Sequence, residues 1–397
     1  MKSYKYIIIG GGMTGSAAVM GIRKNDPDGS IAMFSKEPFQ PYNRPPLTKG
    51  LWDGKDVESI VRPMGQYQVD LFLEKPIEQI IPDQKQVRTT GGETFGYEKL
   101  LLATGGDPIQ LPGMPDGVIA YRTRVDYHLL ENLVKEKDSF CIIGGGFIGS
   151  ELAAALVKKQ RKVSMIFPET GICGDLFPED LSDSLVHYYQ EKGVKVLKEN
   201  LVDVVNKNGD QYTVQYHNIE DHQVTEAPFD VVIVGIGIKP NTALAEAAGI
   251  DVDNGIIVNE TLQTNFSDIF AAGDVANFKH IPLGKRVRVE HEDNANTMGM
   301  LAGQNMSGEL QTYDHFPFFY SDLFDLGYEA VGDFGKDLEI YEDWIDPFKK
   351  GTIFYLKDDK IRGVIFWNLW GKVDGGRELI RSGKSYTKAD LKGMFEG

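Results

Sequence analysis

Cysteine is almost missing: Cys141 and Cys173 are the only two in 397 residues. They stand far apart and form no C-x-x-C. A local dithiol redox motif and a cysteine-rich zinc site are thereby excluded. Each thiol reads as a small buried hydrophobe, and no metal is expected. Positive charge is also in short supply. Lys and Arg number 42 against 58 Asp and Glu, a formal net charge of −16. An anionic surface repels phosphate backbones and no basic stripe interrupts it, so nucleic acid is not an expected partner. Long apolar runs are absent too. The longest, at residues 231–238, is about eight residues, against the roughly 20 that a membrane helix needs. Residues 1–5 lead at once into an apolar strand, which leaves no space for a secretory or transit segment. A cytoplasmic location is the expectation.

What remains is ordinary for a globular chain, with 42% hydrophobic and 25% charged residues. Glycine is the exception, at 44 residues. Many backbone positions must therefore need close approach or a positive φ.

The glycines fall in a pattern. The apolar run 5–9 reads as a buried parallel strand. Gly10-Gly11-Gly12-Met13-Thr14-Gly15 follows, then a small-residue helix from Ser16 and a second strand at 30–34. The same unit recurs as strand 139–143, Gly144-Gly145-Gly146-Phe147-Ile148-Gly149, helix 150–159 and strand 162–167. The chain thus holds two copies of one βαβ unit. In each G-x-G-x-x-G the first glycine makes the tight turn. The second admits a pyrophosphate, and the third lets helix pack on strand. The helix N-terminus then offers N–H donors and the positive end of its dipole.

An acid about 20 residues on should hold the adenosine ribose. Glu37 and Glu169 stand there. Two dinucleotide sites in one chain imply two dinucleotides, most economically a tightly held flavin and an exchangeable nicotinamide. Glu169 repels a 2′-phosphate and so favours NADH over NADPH; the alternative is a solvated loop acid. Strand 268–272 ends in Gly273-Asp274, where a short carboxylate can accept from a ribityl hydroxyl; alone, such a pair is a plain turn. From about Gln311 aromatics crowd into 316–320, strands are expected at 352–356 and 364–367, and a helix at 374–381.

Four segments carry a resemblance: 41–52 (PYNRPPLTKGLW); 142–152 (IIGGGFIGSEL); 288–293 (RVEHED) with 301–306 (LAGQNM); and 351–370 (GTIFYLKDDKIRGVIFWNLW). By these the chain resembles the flavin-dependent pyridine-nucleotide oxidoreductases of glutathione-reductase-type fold. Among them it is most similar to apoptosis-inducing factor and its relatives, next to the ferredoxin reductases of oxygenase systems. The resemblance implies an α/β fold with two doubly wound dinucleotide-binding domains, the NAD domain inserted in the FAD domain, plus a C-terminal α+β domain. The implied division is 1–122 and 239–310 for FAD, 123–238 for NAD and 311–397 for the C-terminal domain.

By the same resemblance FAD would be held by Gly10, Gly12, Gly15, Arg44, Lys49, Arg122, Asp274 and His291. Thr14, Glu37, Pro45, Ile77, Thr104, Gly105, Glu292 and Tyr320 would join them. NAD would be held by Gly146, Phe147, Ile148, Gly149, Glu169, Gly237, Glu290, Glu329 and Asn368. Lys49, Glu151 and His291 would carry the catalysis. A cation near flavin N5 stabilises negative charge arriving with a hydride, and a carboxylate fixes the cation. Matching residues pair in the family; the other reading is two unrelated surface charges. His291 would lie beside the isoalloxazine, and Tyr320 stands where relatives carry a tryptophan.

The chain also departs from the pattern. Ser35-Lys36 replaces the acid usual after the second strand. Asp175 replaces a basic residue expected to hold an NAD phosphate. Ile257 and Asn265 stand where animal relatives use arginines at a dimer contact, so a homodimer is only one candidate state. The implied activity is hydride transfer from NADH to flavin and onward to an external acceptor: a quinone, oxygen or an iron–sulfur protein. One alternative is an NADH-dependent ferredoxin reductase, for which Lys279, Lys285, Arg286 and Arg288 form a candidate docking cluster. The other is a slow-turnover, redox-sensing binding protein regulated by a charge-transfer complex of reduced flavin and NAD.

Overall fold

Continuous Val/Ile/Leu runs give strands buried on both faces, and such strands assemble into parallel sheets. The computed structural model, which describes residues 1–281, 283–335 and 337–395, contains two of them, one in each of two compact units. The chain is woven between the units. The first comprises Met1–Arg44, Asp56–Asp107 and Lys239–Phe319; the second comprises Pro45–Lys55, Pro108–Ile238 and Tyr320–Gly397.

In the first unit the sheet runs Val69–Phe72, Ile31–Phe34, Lys2–Ile9, Thr94–Leu102, Gln86–Thr89, Ile77–Ile81. Ile269–Ala271 joins the C-terminal half of Thr94–Leu102, pairing Leu100 with Ile269 and Leu102 with Ala271. The four strands around the glycine turn are parallel. Ile9 pairs with Phe34 on one side and Leu102 on the other, so three strand ends align beside Gly10. The helix Met13–Asn25 leaves that turn and packs on the helix Glu292–Ser307. Here the backbones themselves touch. A Cβ on Gly21 would sit 2.1 Å from the Met300 carbonyl oxygen. One on Gly303 would sit 2.0 Å from that of Ala18, and one on Gly299 2.4 Å from that of Thr14.

The second unit holds a wholly parallel sheet in the order Val194–Leu197, Lys162–Ile166, Ser139–Ile143, Val231–Val234, Ile119–Ala120. The helix Phe147–Lys158 follows its central strand. Asn200–Asn208, Gln211–Asn218 and Val224–Phe229 add an antiparallel three-stranded sheet. The C-terminal segment forms an antiparallel five-stranded sheet in the order Phe318–Leu323, Leu326–Gly332, Lys360–Trp367, Lys350–Lys357, Glu339–Asp346, backed by the helix Val373–Ser382. It packs within its unit through aromatics: Phe177 meets Tyr328 and Trp367 edge-on at 5.1 and 5.3 Å. The α/β class with a C-terminal domain agrees with the sequence reading.

Candidate dinucleotide sites and the Glu151 cluster

The first cradle lies wholly in the first unit. Gly10 has φ +126°, and a Cβ there would fall 2.0 Å from the Ala103 carbonyl oxygen. A Cβ on Gly15 would fall 2.1 Å from the Gly10 carbonyl oxygen. Those two glycines close strand, turn and helix on one another. Gly12 differs: no atom lies within 4 Å of where its Cβ would be. Gly12 is also the N-cap of Met13–Asn25, and no side chain caps that helix. Its first N–H groups are left for another acceptor. Thr14 sits against the second turn of the cradle, since a Cβ on Gly273 would meet its Oγ1 at 2.2 Å; Asp274 follows in that turn.

Other expected flavin residues lie in the same unit. Glu37 is engaged, receiving Tyr42 Oη at 2.6 Å and Arg44 Nη2 at 2.5 Å. Thr104 Oγ1 donates to the Asn241 carbonyl at 2.9 Å, next to Gly105 at φ +63°. Ile77 opens an edge strand. His291 is the N-cap of Glu292–Ser307, with Glu292 in the first turn. Its ring stacks on Phe319 at 4.2 Å. Burial pushes its imidazole down to about 4, against the pull of Asp274 and Asp293. Glu290, expected toward NAD, lies in this unit and pairs with Arg288 Nη1 at 2.5 Å.

The second cradle repeats the geometry in the second unit. Gly144 has φ +121° and approaches the Gly235 carbonyl; Gly149 approaches that of Gly144. Gly146 is open within 4 Å and caps Phe147–Lys158 without any side-chain bond. Gly237 has φ +102° at the end of the neighbouring strand. Glu169 follows the second strand of the unit, and its Oε2 is buried with no hydrogen-bond partner. A buried carboxylate oxygen left unsatisfied costs about 1–3 kcal/mol or more. A ribose hydroxyl is the donor that would satisfy it.

Glu151 sits on the first turns of the same helix, 5% exposed. Lys49 Nζ lies 2.6 Å from its Oε1. Thr48 and Ser321 donate their hydroxyls to the same carboxylate. Two segments distant in sequence, 48–49 and the one at 321, thus converge on one side chain, all inside the second unit. Lys49 also lies 5.2 Å from the centroid of the Tyr320 ring. The reading as two unrelated surface charges is excluded by this geometry. Thr48 and Ser321 were invisible to sequence reasoning, because hydroxyls at those separations carry no local signal.

Glu329 and Asn368 lie in the C-terminal sheet region. Glu329 Oε2 accepts from the Gly371 N–H at 2.7 Å. Asn368 Oδ1 accepts from Gly327 N–H at 2.7 Å, and its Nδ2 donates to the Lys349 carbonyl at 2.8 Å. These bonds fold turns. Arg122 and Pro45 lie in the second unit; the Arg122 N–H donates to Asp126 Oδ2 at 3.0 Å, beside the Thr123 capping box. Both cysteines are reduced and buried, and burial pushes the Cys173 thiol up to about 12.

Two capless helix starts, two open glycines and one orphaned buried carboxylate oxygen fit two dinucleotides. The class so defined is a two-dinucleotide oxidoreductase. The chain belongs to the pyridine nucleotide-disulphide oxidoreductase family, whose model matches residues 4–299. Residues 336–382 match the C-terminal model of mitochondrion-associated apoptosis-inducing factor. It is a FAD-dependent oxidoreductase of pyridine nucleotides. The chain is 35% identical to apoptosis-inducing factor 1, mitochondrial, of Dictyostelium discoideum, over 96% of this chain and 79% of that protein. It is 30% identical to putidaredoxin reductase of Pseudomonas putida, over 90% and 87%. It matches the covalent putidaredoxin reductase–putidaredoxin complex with a TM-score of 0.91 at 27% identity, covering 99% of this chain and 97% of that one. No helix among the described residues is long and apolar enough to cross a membrane.

Proposed function

We propose that this protein oxidises NADH at its flavin and passes the electrons to an external acceptor. The observation that carries the reading is the pair of capless nucleotide helices, one starting at Gly12 and one at Gly146. When bound, FAD would supply the hydride acceptor and the outlet for electrons. The N–H groups after Gly12 would hold the flavin diphosphate, and those after Gly146 the nicotinamide diphosphate. Glu169 would accept from the adenosine ribose and repel a 2′-phosphate, which selects NADH. Lys49 would supply positive charge against the incoming negative charge. Glu151 would hold that ammonium in place, with Thr48 and Ser321 fixing the carboxylate. The division at 122/123, 238/239 and 310/311 goes with this assignment of roles.

With both thiols buried, no dithiol of this chain is exposed to relay electrons. The acceptor would then meet the flavin directly. The names of two relatives, putidaredoxin reductase and a demethylase ferredoxin reductase subunit, support an iron–sulfur protein. The candidate docking cluster gives that less help, because Arg288 is paired with Glu290 and Arg286 Nη1 is spent on the Val258 and Asn277 carbonyls. Stopped-flow bleaching by NADH, followed by reoxidation with a ferredoxin, a quinone or oxygen, tests the reading. Protein that purifies without a yellow chromophore refutes it. A long-lived long-wavelength band with poor turnover would favour the redox-sensing alternative.

A further inference from the structure

Arg62 lies beside the first cradle, and a role for it rests on the flavin reading of that cradle. The isolated bridge Tyr42↔Val61 and the bond from Arg62 N–H to the Pro41 carbonyl, at 2.7 Å, bring its loop against the cradle helix. The guanidinium then reaches the first turn of Met13–Asn25. Its Nη1 donates to the Met13 carbonyl at 3.3 Å and to Ser16 Oγ at 3.0 Å, and its Nε donates to Asn43 Oδ1 at 2.6 Å. All three acceptors are neutral. Among the described residues no carboxylate lies within ion-pair distance of Arg62, and only the more distant field of Glu292 favours its charge. Burial correspondingly pulls its proton affinity below the ordinary arginine range. A partly buried cation without a counter-ion is unfavourable. Here it is held at a helix start that already favours anions.

Arg44 and Arg288 differ from Arg62, since Arg44 is ion-paired with Glu37 and Arg288 with Glu290. The internal repeat supplies a control. Ser150 is the counterpart of Ser16, and both hydroxyls turn back on the first turn, Ser16 to the Met13 carbonyl and Ser150 to the Gly146 and Phe147 carbonyls; the difference is that, among the described residues, no cation donates to Ser150. Among the described residues, one cradle has an arginine with no carboxylate in ion-pair range against its first turn, and its twin has no arginine donating there. We propose that Arg62 is a counter-charge for the flavin diphosphate, and that it makes the first cradle a tight site where the second is exchangeable.

The test compares wild type with Arg62→Met and Arg62→Lys, each loaded with FAD and then stripped of it. Flavin fluorescence gives the FAD dissociation constant, and thermal unfolding is followed with and without FAD. Arg62→Met should raise the dissociation constant at least ~10-fold, about 1.4 kcal/mol. It should lower the unfolding midpoint of the loaded form yet leave the stripped form as stable as wild type or more so. Arg62→Lys should fall between in affinity. NAD affinity of the second cradle should not move. An unchanged FAD dissociation constant in Arg62→Met overturns the inference alone. So does a stripped form destabilised as much as the loaded one, which would make Arg62 a loop brace. Wild-type protein that takes up no FAD overturns the flavin reading and the inference together. If Arg62→Met does not fold, Arg62→Lys decides: weaker FAD binding at an unchanged stripped midpoint supports the role, and equal binding overturns it.

Discussion

Lys49 Nζ lies 2.6 Å from Glu151 Oε1, with the two side chains only 15% and 5% exposed. A pair so shielded is coupled to stability as well as to chemistry. Removing one member strands the other as a buried charge, at a cost of about 3–5 kcal/mol. Lys49→Met should therefore destabilise the protein strongly, and Lys49→Met/Glu151→Leu should recover much of the loss. NADH-driven bleaching should stay slow in both, by at least ~10-fold for each 1.4 kcal/mol of lost assistance. Calorimetry and stopped-flow on the same preparations separate the two effects. Recovery of rate along with stability would remove the pair from the chemistry.

The hydroxyls of Thr48 and Ser321 both donate to that carboxylate. Hydrogen bonds to a charged group contribute about 1.5–3 kcal/mol. Thr48→Val and Ser321→Ala should each lower stability by about that amount in denaturant unfolding. Ser321→Thr should lose less, because the donor is kept.

Glu169 offers a different readout, because one of its oxygens is buried and unpartnered. Glu169→Gln should weaken NADH use and relax its preference over NADPH. The measurement is kcat/KM for both nucleotides. If native protein uses NADPH equally well, the role given to this acid is wrong.

His291 links the first unit to pH. Burial holds its imidazole at about 4, against about 6.5 in an unfolded chain. Between those values the unfolded chain binds a proton that the folded chain refuses. Stability from this group is complete above about pH 6.5 and is lost as pH falls toward 4, by up to about 3 kcal/mol. His291→Phe should flatten that part of the stability–pH curve, read as denaturant midpoints from pH 7 to 4.

The thiols should be silent. Cys141 and Cys173 are buried, and burial raises both thiols above their ordinary range. A thiol reagent should find neither in the native protein and both after denaturation. Cys141→Ser/Cys173→Ser should retain NADH oxidation.

The cradles were legible because their signal is local. A strand, a glycine turn and a helix fall within one short window, and the turn at Gly10 or Gly144 requires a backbone only glycine adopts with ease. The C-terminal strands and helix were legible for the same reason, to within a few residues: Lys360–Trp367 was expected from 364, and Val373–Ser382 from 374. Convergence over distance was not legible. Lys49 and Glu151 stand 102 positions apart and Ser321 stands 170 from Glu151; resemblance supplied the first pair, and nothing supplied the hydroxyls. Arg62 was missed because its meaning lies in what it lacks, a nearby carboxylate. Glu329 and Asn368 illustrate the converse, since resemblance does not reveal that the Gly371 and Gly327 N–H groups already bond to Glu329 Oε2 and Asn368 Oδ1.

The interleaving of the chain has a practical consequence. Neither compact unit is a contiguous stretch: the backbone changes over at 44/45, 55/56, 107/108, 238/239 and 319/320. No single cut frees either half intact, so a deletion series will not yield a stand-alone flavin module. A stop codon after Phe319 would take away Ser321 and all but two residues of the five-stranded C-terminal sheet, and with them one of the three anchors of a side chain encoded far upstream. Dissection of this protein belongs to point substitution and circular permutation rather than to truncation.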